Sequence, residues 1–364
     1  MFLECYCILG RKIVRRKKKN SRKSYRRKLQ IRLFVLTVIF IGLITTLLFI
    51  KMRPKEGKEI DGISPEQSEM IESNEVNVVI KERIIQSEVI EKEAFDLPEL
   101  FSSAAILMQV EDGTIIAQLA IKDMIYPASL TKIMTCILAI EKIEDLNQTV
   151  ELPADNFEML YERGASLAGF EPNESVRISD LLYGSILPSG GECCIGLAIT
   201  VAGSEEEFVN LMNQKAEELE LKGTHFSNTT GLHDSQHYST VEDIAVLLRY
   251  ALQNEVFREI FTSSRHSSAA TNIHPEGLTF YSSMFKLMDS AEIIGGTISG
   301  GKTGYTQEAD LCLASMADVW NQEYILVTIG AQSTFTEESL HIMDAFSVYN
   351  KIGEELKDDV TYNE

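Results

Sequence analysis

The sequence predicts an α+β domain whose single sheet is assembled from both ends of the chain, and three observations carry that prediction. Residues 104–110 and 114–120 are apolar runs flanking Glu111-Asp112-Gly113, which is a hairpin signal. Between about 127 and 254 the apolar spacing is helical, and from 298 to 330 it returns to the two-residue alternation of strands. Of 364 residues 45% are hydrophobic and only 8 are Pro, which supplies a large core and excludes a mainly disordered chain.

Taken in order, residues 1–32 are a basic arm with 13 Lys and Arg between Arg11 and Arg32. Residues 33–50 (LFVLTVIFIGLITTLLFI) are 18 uncharged positions, nearly enough at about 1.5 Å per residue to span a bilayer core of about 30 Å. Arg32 and Lys51 are placed to snorkel, and the basic flank keeps the amino-terminal side in the cytoplasm, so everything beyond Lys51 is expected outside a cell membrane crossed once. A cleaved signal peptide is the competing reading; the long charged flank and the lack of an AxA-like site after Ile50 favour a retained anchor. Residues 1–53 hold 15 Lys and Arg against Glu4 alone, leaving 19 basic and 53 acidic residues, a balance of −34, in 54–364. Such an acidic body repels phosphate backbones and argues against nucleic acid as a partner, and membrane topology accounts for the basic arm. Residues 51–97, rich in Glu, Lys, Ser and Asn without a clean period, read as a solvated stalk.

The folded domain is expected over 98–351. After Pro127, Ile133, Ile137 and Ile140 recur at spacings of four and three with no breaker before about Asp145, which predicts a helix. Helical spacing also fits 178–187, 193–201, 205–221 and 241–254. Strands are expected at 298–306, 310–317 and 324–330, then a closing helix over 337–349 and an acidic tail at 352–364. No internal repeat occurs. Cys5 and Cys7 fall in the basic arm, whereas Cys136, Cys193, Cys194 and Cys312 lie in apolar stretches without zinc or redox spacing; free buried thiols are expected, with three pairings open in principle.

Three short segments offer chemistry. Ser129-Leu130-Thr131-Lys132 opens the helix after Pro127, and a spacing of three puts hydroxyl and ammonium on one face, close enough to pass a proton. A helix start also presents unpaired N–H groups to a developing oxyanion, and a buried lysine loses hydration and becomes a neutral base. Such pairs arise often on solvated faces, but here the flanks are apolar. Lys302-Thr303-Gly304 follows Gly300-Gly301 on a predicted strand, where Lys302 can anchor a carboxylate, Thr303 can hydrogen-bond it, and Gly304 allows close approach. Between them lies Leu187-Pro188-Ser189-Gly190-Gly191-Glu192, whose plain reading is a helix cap.

Other motifs compete. Residues 296–303 read GTISGGKT, a phosphate-loop match, but that pattern needs a preceding parallel strand and a following helix, and residues 305–317 alternate as a strand. His225, His233 and His237 invite zinc, yet no HExxH is present and Gly231 and Tyr238-Ser239-Thr240 frame a polar loop ending in a cap. No GxSxG elbow occurs. No metal or cofactor is expected.

Together, SxxK, a serine triplet and KTG in that order resemble the signature of penicillin-binding proteins and serine β-lactamases. YPASLTKIMT at 126–135 and THFSNTTGLHDSQHYST at 224–240 resemble, more narrowly, the serine D-alanyl-D-alanine carboxypeptidases of low molecular mass, over about residues 97–351. The resemblance implies an α/β/α sandwich with a five-stranded antiparallel sheet, helices on both faces and a helical insertion. It implies that Ser129 attacks the carbonyl between the terminal D-alanines of a peptidoglycan stem peptide, Lys132 takes its proton, and Ser189 helps pass a proton to the leaving amine. Ser129 and Tyr305 N–H groups would form the oxyanion hole, Lys302 and Thr303 would hold the substrate carboxylate, and β-lactams would be covalent inhibitors. Many members of that family carry a C-terminal β domain and an amphipathic helix after the catalytic domain; neither is expected here, where the N-terminal anchor makes the membrane helix unnecessary. One departure is the middle motif, where Ser189-Gly190-Gly191 stands for the usual Ser-x-Asn; restoring Asn at 191 is expected to preserve or raise turnover. The alternatives are a weakly or non-catalytic penicillin-binding sensor or scaffold, which the glycine favours, and a serine β-lactamase, for which an EPxLN-like segment is missing.

Overall fold

The computed structural model describes residues 95–332 and 339–361. The expected arm, the membrane segment at 33–50 and the stalk up to 94 lie outside the described residues, among which no helix is long and apolar enough to cross a membrane.

The sheet is built as the alternation predicts. β1 (Ala104–Gln109) and β2 (Ile115–Leu119) form the first hairpin. Its turn is closed by the Thr114 N–H bonding Asp112 Oδ1 (2.8 Å), with Gly113 at φ +80°. β8 (Gly296–Thr306), β9 (Asp310–Val319) and β10 (Gln322–Ala331) form the closing meander. β10 pairs antiparallel with β1, Ala104 opposite Ile329, so the two ends of the domain are stitched into one sheet in which β2, β1, β10, β9 and β8 lie side by side in that order. The implied five strands become six because β7 (Glu292–Ile293), two residues long and silent in the sequence, adds an edge beside β8. A strand that short has no readable alternation.

Alternation then sorts side chains to two faces. Leu107, Leu313, Ala317 and Leu326 pack under Ile342, Ala345, Val348 and Tyr349 of the closing helix α8 (Leu340–Thr361). Ile106, Met108, Ala314, Ile325 and Val327 pack on the opposite face against the helical middle. Asp344 of α8 accepts from the Ser102 N–H (2.9 Å) and Ser102 hydroxyl (2.6 Å), tying the first strand's entry to the last helix. Two boundaries move. Residues 352–361, expected as part of a tail, continue α8 and bury Ile352 and Leu356, and Phe95 and Leu97, expected in the stalk, already pack on that layer. In both cases apolar residues spaced within a charged background escape a reading by composition.

The middle section holds α1 (Lys132–Lys142), α2 (Asp155–Glu162), α3 (Ile178–Ile186), α4 (Gly191–Ala202), α5 (Glu205–Glu218), α6 (Val241–Ala251) and α7 (Glu255–Thr262). Caps explain three starts: Ser204, Thr240 and Asn254 side chains accept from N–H groups of the first turns of α5, α6 and α7. Two two-stranded ribbons with three residues per strand, β3 (Thr149–Glu151) with β4 (Ser175–Arg177) and β5 (Arg265–Ser267) with β6 (Thr279–Tyr281), edge this layer. Helices α2 and α7 and both ribbons are absent from the sequence expectation; the ribbons are too short to show a period, whereas α7 buries Phe257, Ile260 and Phe261 on one face, a helical spacing present in the sequence. The four cysteines in the described residues are buried free thiols.

Candidate active site

The segment after Pro127 does not enter α1 directly. Residues Ala128–Thr131 form a 3₁₀ turn in which Ala128 has φ +46°, and α1 starts at Lys132. Tight winding brings Lys132 Nζ to 3.0 Å from Ser129 Oγ. The ammonium also donates to the carbonyl of Thr230 (2.5 Å). Asn228 shapes the loop that presents this carbonyl: its Oδ1 accepts from the N–H groups of Thr230 (3.1 Å) and Gly231 (2.7 Å) and from the Thr230 hydroxyl (3.0 Å).

Two glycines grip the turn. A Cβ on Gly231 would lie 1.8 Å from Ala128 O, and one on Gly304 of β8 would lie 3.1 Å from Ser129 N. The carboxyl-terminal sheet thus touches the serine from the far end of the sequence. Two residues earlier on the same face of β8, Lys302 is fully buried and donates to Ser189 Oγ (2.9 Å) and to its neighbouring carbonyl, Thr303 O (2.7 Å). Thr303 Oγ1 shares a hydrogen bond with Ser283 Oγ (2.6 Å). Ser189 sits on a left-handed backbone, φ +69°, a strain of about 1–3 kcal/mol for a non-glycine residue, immediately before α4. Tyr305 is exposed, next in line after Gly304. Ser129 therefore touches Lys132 and is approached by Gly304, while Lys302 of the same strand holds Ser189, with Thr303 and Tyr305 flanking Gly304 along β8.

Electrostatics follow from burial. Loss of hydration drives the Lys132 ammonium below its ordinary pKa, partly opposed by the surrounding thiols and Glu192. Lys302 is driven down further, by burial first and by the charge of Lys132 second. Two ammonium groups sharing one dry site favour the neutral amine on at least one of them.

His237, expected as polar loop, is a buried support. Its Nδ1 accepts from the Ser227 N–H (3.0 Å), so Nε2 carries the proton and faces Thr131 Oγ1 at 2.7 Å; that hydroxyl donates to Ala128 O (2.8 Å). His233 packs edge-on to Tyr126, 4.7 Å between ring centroids, and its carbonyl accepts from Arg163 (2.7 Å). The phosphate-loop match at 296–303 is contradicted: it is strand β8, antiparallel to β7 and β9, with β9 following rather than a helix. Position 191 is also tighter than expected. A Cβ there would lie 3.1 Å from Leu160 Cδ2 and 3.4 Å from Ala165 Cβ, so an asparagine would have to displace Leu160.

Thr230, Asn228 and Ser283 escape sequence reasoning. The resemblance at 224–240 marks the first two, but Thr230 contributes a backbone carbonyl that no side-chain pattern encodes.

The D-alanyl-D-alanine carboxypeptidase family model matches residues 91–333. The D-alanyl-D-alanine carboxypeptidase DacF of Bacillus subtilis is 32% identical over 254 residues, 68% of this chain and 63% of that protein. DacC of Escherichia coli is 31% identical over 249 residues, 66% of this chain and 60% of its own. The chain thus spans about three-fifths of the length of these curated relatives. The Streptomyces K15 DD-transpeptidase superposes with a TM-score of 0.64 at 25% identity, covering 71% of this chain and 99% of that one. Penicillin binding protein 6B of Escherichia coli gives 0.61 at 26%, covering 71% and 80%. With SxxK, the Ser189 turn and KTG meeting at one turn of the fold, and a family model covering most of the chain, this chain belongs to the D-alanyl-D-alanine carboxypeptidase family.

Proposed function

We propose that the protein is a serine DD-carboxypeptidase that removes the terminal D-alanine from peptidoglycan stem peptides through an acyl-enzyme and is acylated by β-lactams. The observation that carries this reading is the 3.0 Å contact between Lys132 Nζ and Ser129 Oγ in a site whose burial pushes the lysine below its ordinary pKa. Neutral Lys132 takes the Ser129 proton as the hydroxyl adds to the scissile carbonyl. The Ser129 and Tyr305 N–H groups receive the oxyanion. Lys302 and Thr303 bind the substrate's terminal carboxylate, and that negative charge stabilises the second ammonium formed when Lys132 accepts its proton. Ser189, held by Lys302, relays a proton to the leaving D-alanine. Water then releases the acyl group.

The uncharged run at 33–50 and its basic flank support a single-pass anchor with residues 1–32 cytoplasmic, a stalk to about 94, and the catalytic domain facing the wall. Purified protein mixed with a peptide ending in D-Ala-D-Ala tests the activity: D-alanine release abolished in Ser129→Ala supports it. Penicillin labelling without release favours the sensor reading that Gly191 suggests.

A further inference from the structure

Thr131 stands at the start of α1, where a threonine hydroxyl ordinarily accepts an N–H of the first helical turn. Here it makes no such bond. Fully buried, its Oγ1 turns back and donates to Ala128 O at 2.8 Å. A hydroxyl has a single proton to give. With that proton on Ala128 O, Thr131 Oγ1 is left to accept from His237 Nε2, 2.7 Å away. The tautomer agrees, since His237 Nδ1 is already taken by the Ser227 N–H at 3.0 Å. The ring is buried, packs edge-on to Phe226 with 5.6 Å between centroids, and is held neutral by burial, which lowers its pKa to about 4.

This series of donors ends on the peptide next to the nucleophile. Ala128 O and Ser129 N belong to one peptide group, and in a trans peptide the carbonyl and the N–H point opposite ways. Fixing Ala128 O on Thr131 therefore aims the Ser129 N–H away from that hydroxyl. β8 approaches the nitrogen, for a Cβ on Gly304 would lie 3.1 Å from Ser129 N, and Tyr305 is the next residue along. Ala128, at φ +46°, is outside the right-handed helical region, so regular helix geometry does not set the peptide's direction. A donor on the carbonyl also polarises the amide and strengthens its N–H.

We propose that Thr131 and His237 are positioning residues for the oxyanion hole: the series from Ser227 N–H through His237 and Thr131 to Ala128 O aims and polarises the Ser129 N–H that receives the oxyanion. This rests on the proposed acyl-enzyme reaction at Ser129.

The test compares the full chain as wild type, Thr131→Val, Thr131→Ser and His237→Asn. Valine keeps the shape of threonine without the hydroxyl, and serine keeps the hydroxyl. Asparagine can accept from Ser227 but is too short to reach Thr131. Saturation kinetics with a fluorescent penicillin separate the affinity of the initial complex from the first-order acylation rate. The inhibition constant of an amide-bearing boronic acid reads the same donor, because its tetrahedral adduct with Ser129 places an oxygen where the oxyanion forms. Thermal melts report stability.

Losing an oxyanion donor outright costs about 10²–10³-fold. Here the donor stays but is turned and weakened, so Thr131→Val and His237→Asn should slow acylation by about 10–10²-fold while the initial complex keeps its affinity. Boronate affinity should fall in parallel, and Thr131→Ser should restore both. A folded Thr131→Val chain with wild-type acylation and boronate affinity overturns the proposal, even where its melting temperature is lowered. So does a serine variant as slow as the valine one. Where the valine variant fails to fold, His237→Asn decides by the same readouts, and acylation at the wild-type rate overturns the proposal. A wild-type chain that penicillin never acylates refutes the proposed function instead.

Discussion

The nucleophile turn is held between two glycines at very different clearances, and the pair yields a graded prediction. Alanine at Gly231 would put its Cβ 1.8 Å from Ala128 O and 3.0 Å from Ser129 N, on a backbone at φ +78°. Because Cβ atoms do not approach closer than about 3 Å, the 128–129 peptide must retreat by roughly 1 Å, a displacement that typically costs about 10²-fold in a positioned reaction. Left-handed strain adds about 1–2 kcal/mol of destabilisation. Alanine at Gly304 meets the same peptide at 3.1 Å from Ser129 N, so a shift of only a few tenths of an ångström accommodates it. Its expected effect is under about tenfold, with about 1 kcal/mol lost to overpacking. The assay is the second-order rate of acylation by a fluorescent penicillin, with urea denaturation of each variant to separate misplacement from unfolding. Gly231→Ala should fall by about two orders of magnitude and Gly304→Ala by one or less, both still folded at low urea. A folded Gly231→Ala variant that acylates at the wild-type rate would refute the idea that the Thr230-Gly231 loop and β8 fix the serine.

Lys132→Ala should slow acylation by about 10²–10⁴-fold, the usual contribution of a positioned base, as read by stopped-flow penicillin binding. Lys302→Ala should raise KM for a peptide ending in a free carboxylate far more than for an ester substrate lacking one; equal losses on both would contradict the anchoring role. Stability should depend on two buried histidines: burial holds His237 and His341 to about 4, against about 6.5 unfolded. Between those values the unfolded chain binds more protons, so stability is full above pH 6.5 and is lost as pH falls toward 4, by at most about 3 kcal/mol per histidine. Thermal melts across that range check it, and His341→Leu should remove its share while leaving acylation unchanged.

Much of this site was legible because its chemistry is carried by side chains at short spacing. Ser129 and Lys132 are one turn apart, and Lys302, Thr303 and Gly304 are consecutive on a strand whose alternation is readable. The strands β1, β2, β8, β9 and β10 were legible for the same reason: each runs five residues or more, long enough to show a period of two. Apart from α7, what escaped was either too short or made of backbone. β7 has two residues, and the ribbons that edge the helical layer have three per strand. Thr230 acts through its carbonyl, and His237 through a tautomer fixed by the Ser227 N–H.

The placement of the site follows from how the sheet closes. β8 can reach Ser129 only because β10 pairs with β1, which brings the carboxyl-terminal meander back beside the segment that follows the first hairpin. A helix face alone would leave Ser129 and Lys132 in water, where the lysine stays charged and is no base. Docking β8 on one side and the 228–231 loop on the other removes that water, and Gly304 and Gly231 are glycine because both backbones must approach the same peptide. The cost is two buried ammonium groups in one site, each driven toward neutrality. A bound carboxylate would relieve that cost, and this is the electrostatic ground for the proposed preference for a substrate with a free carboxyl terminus.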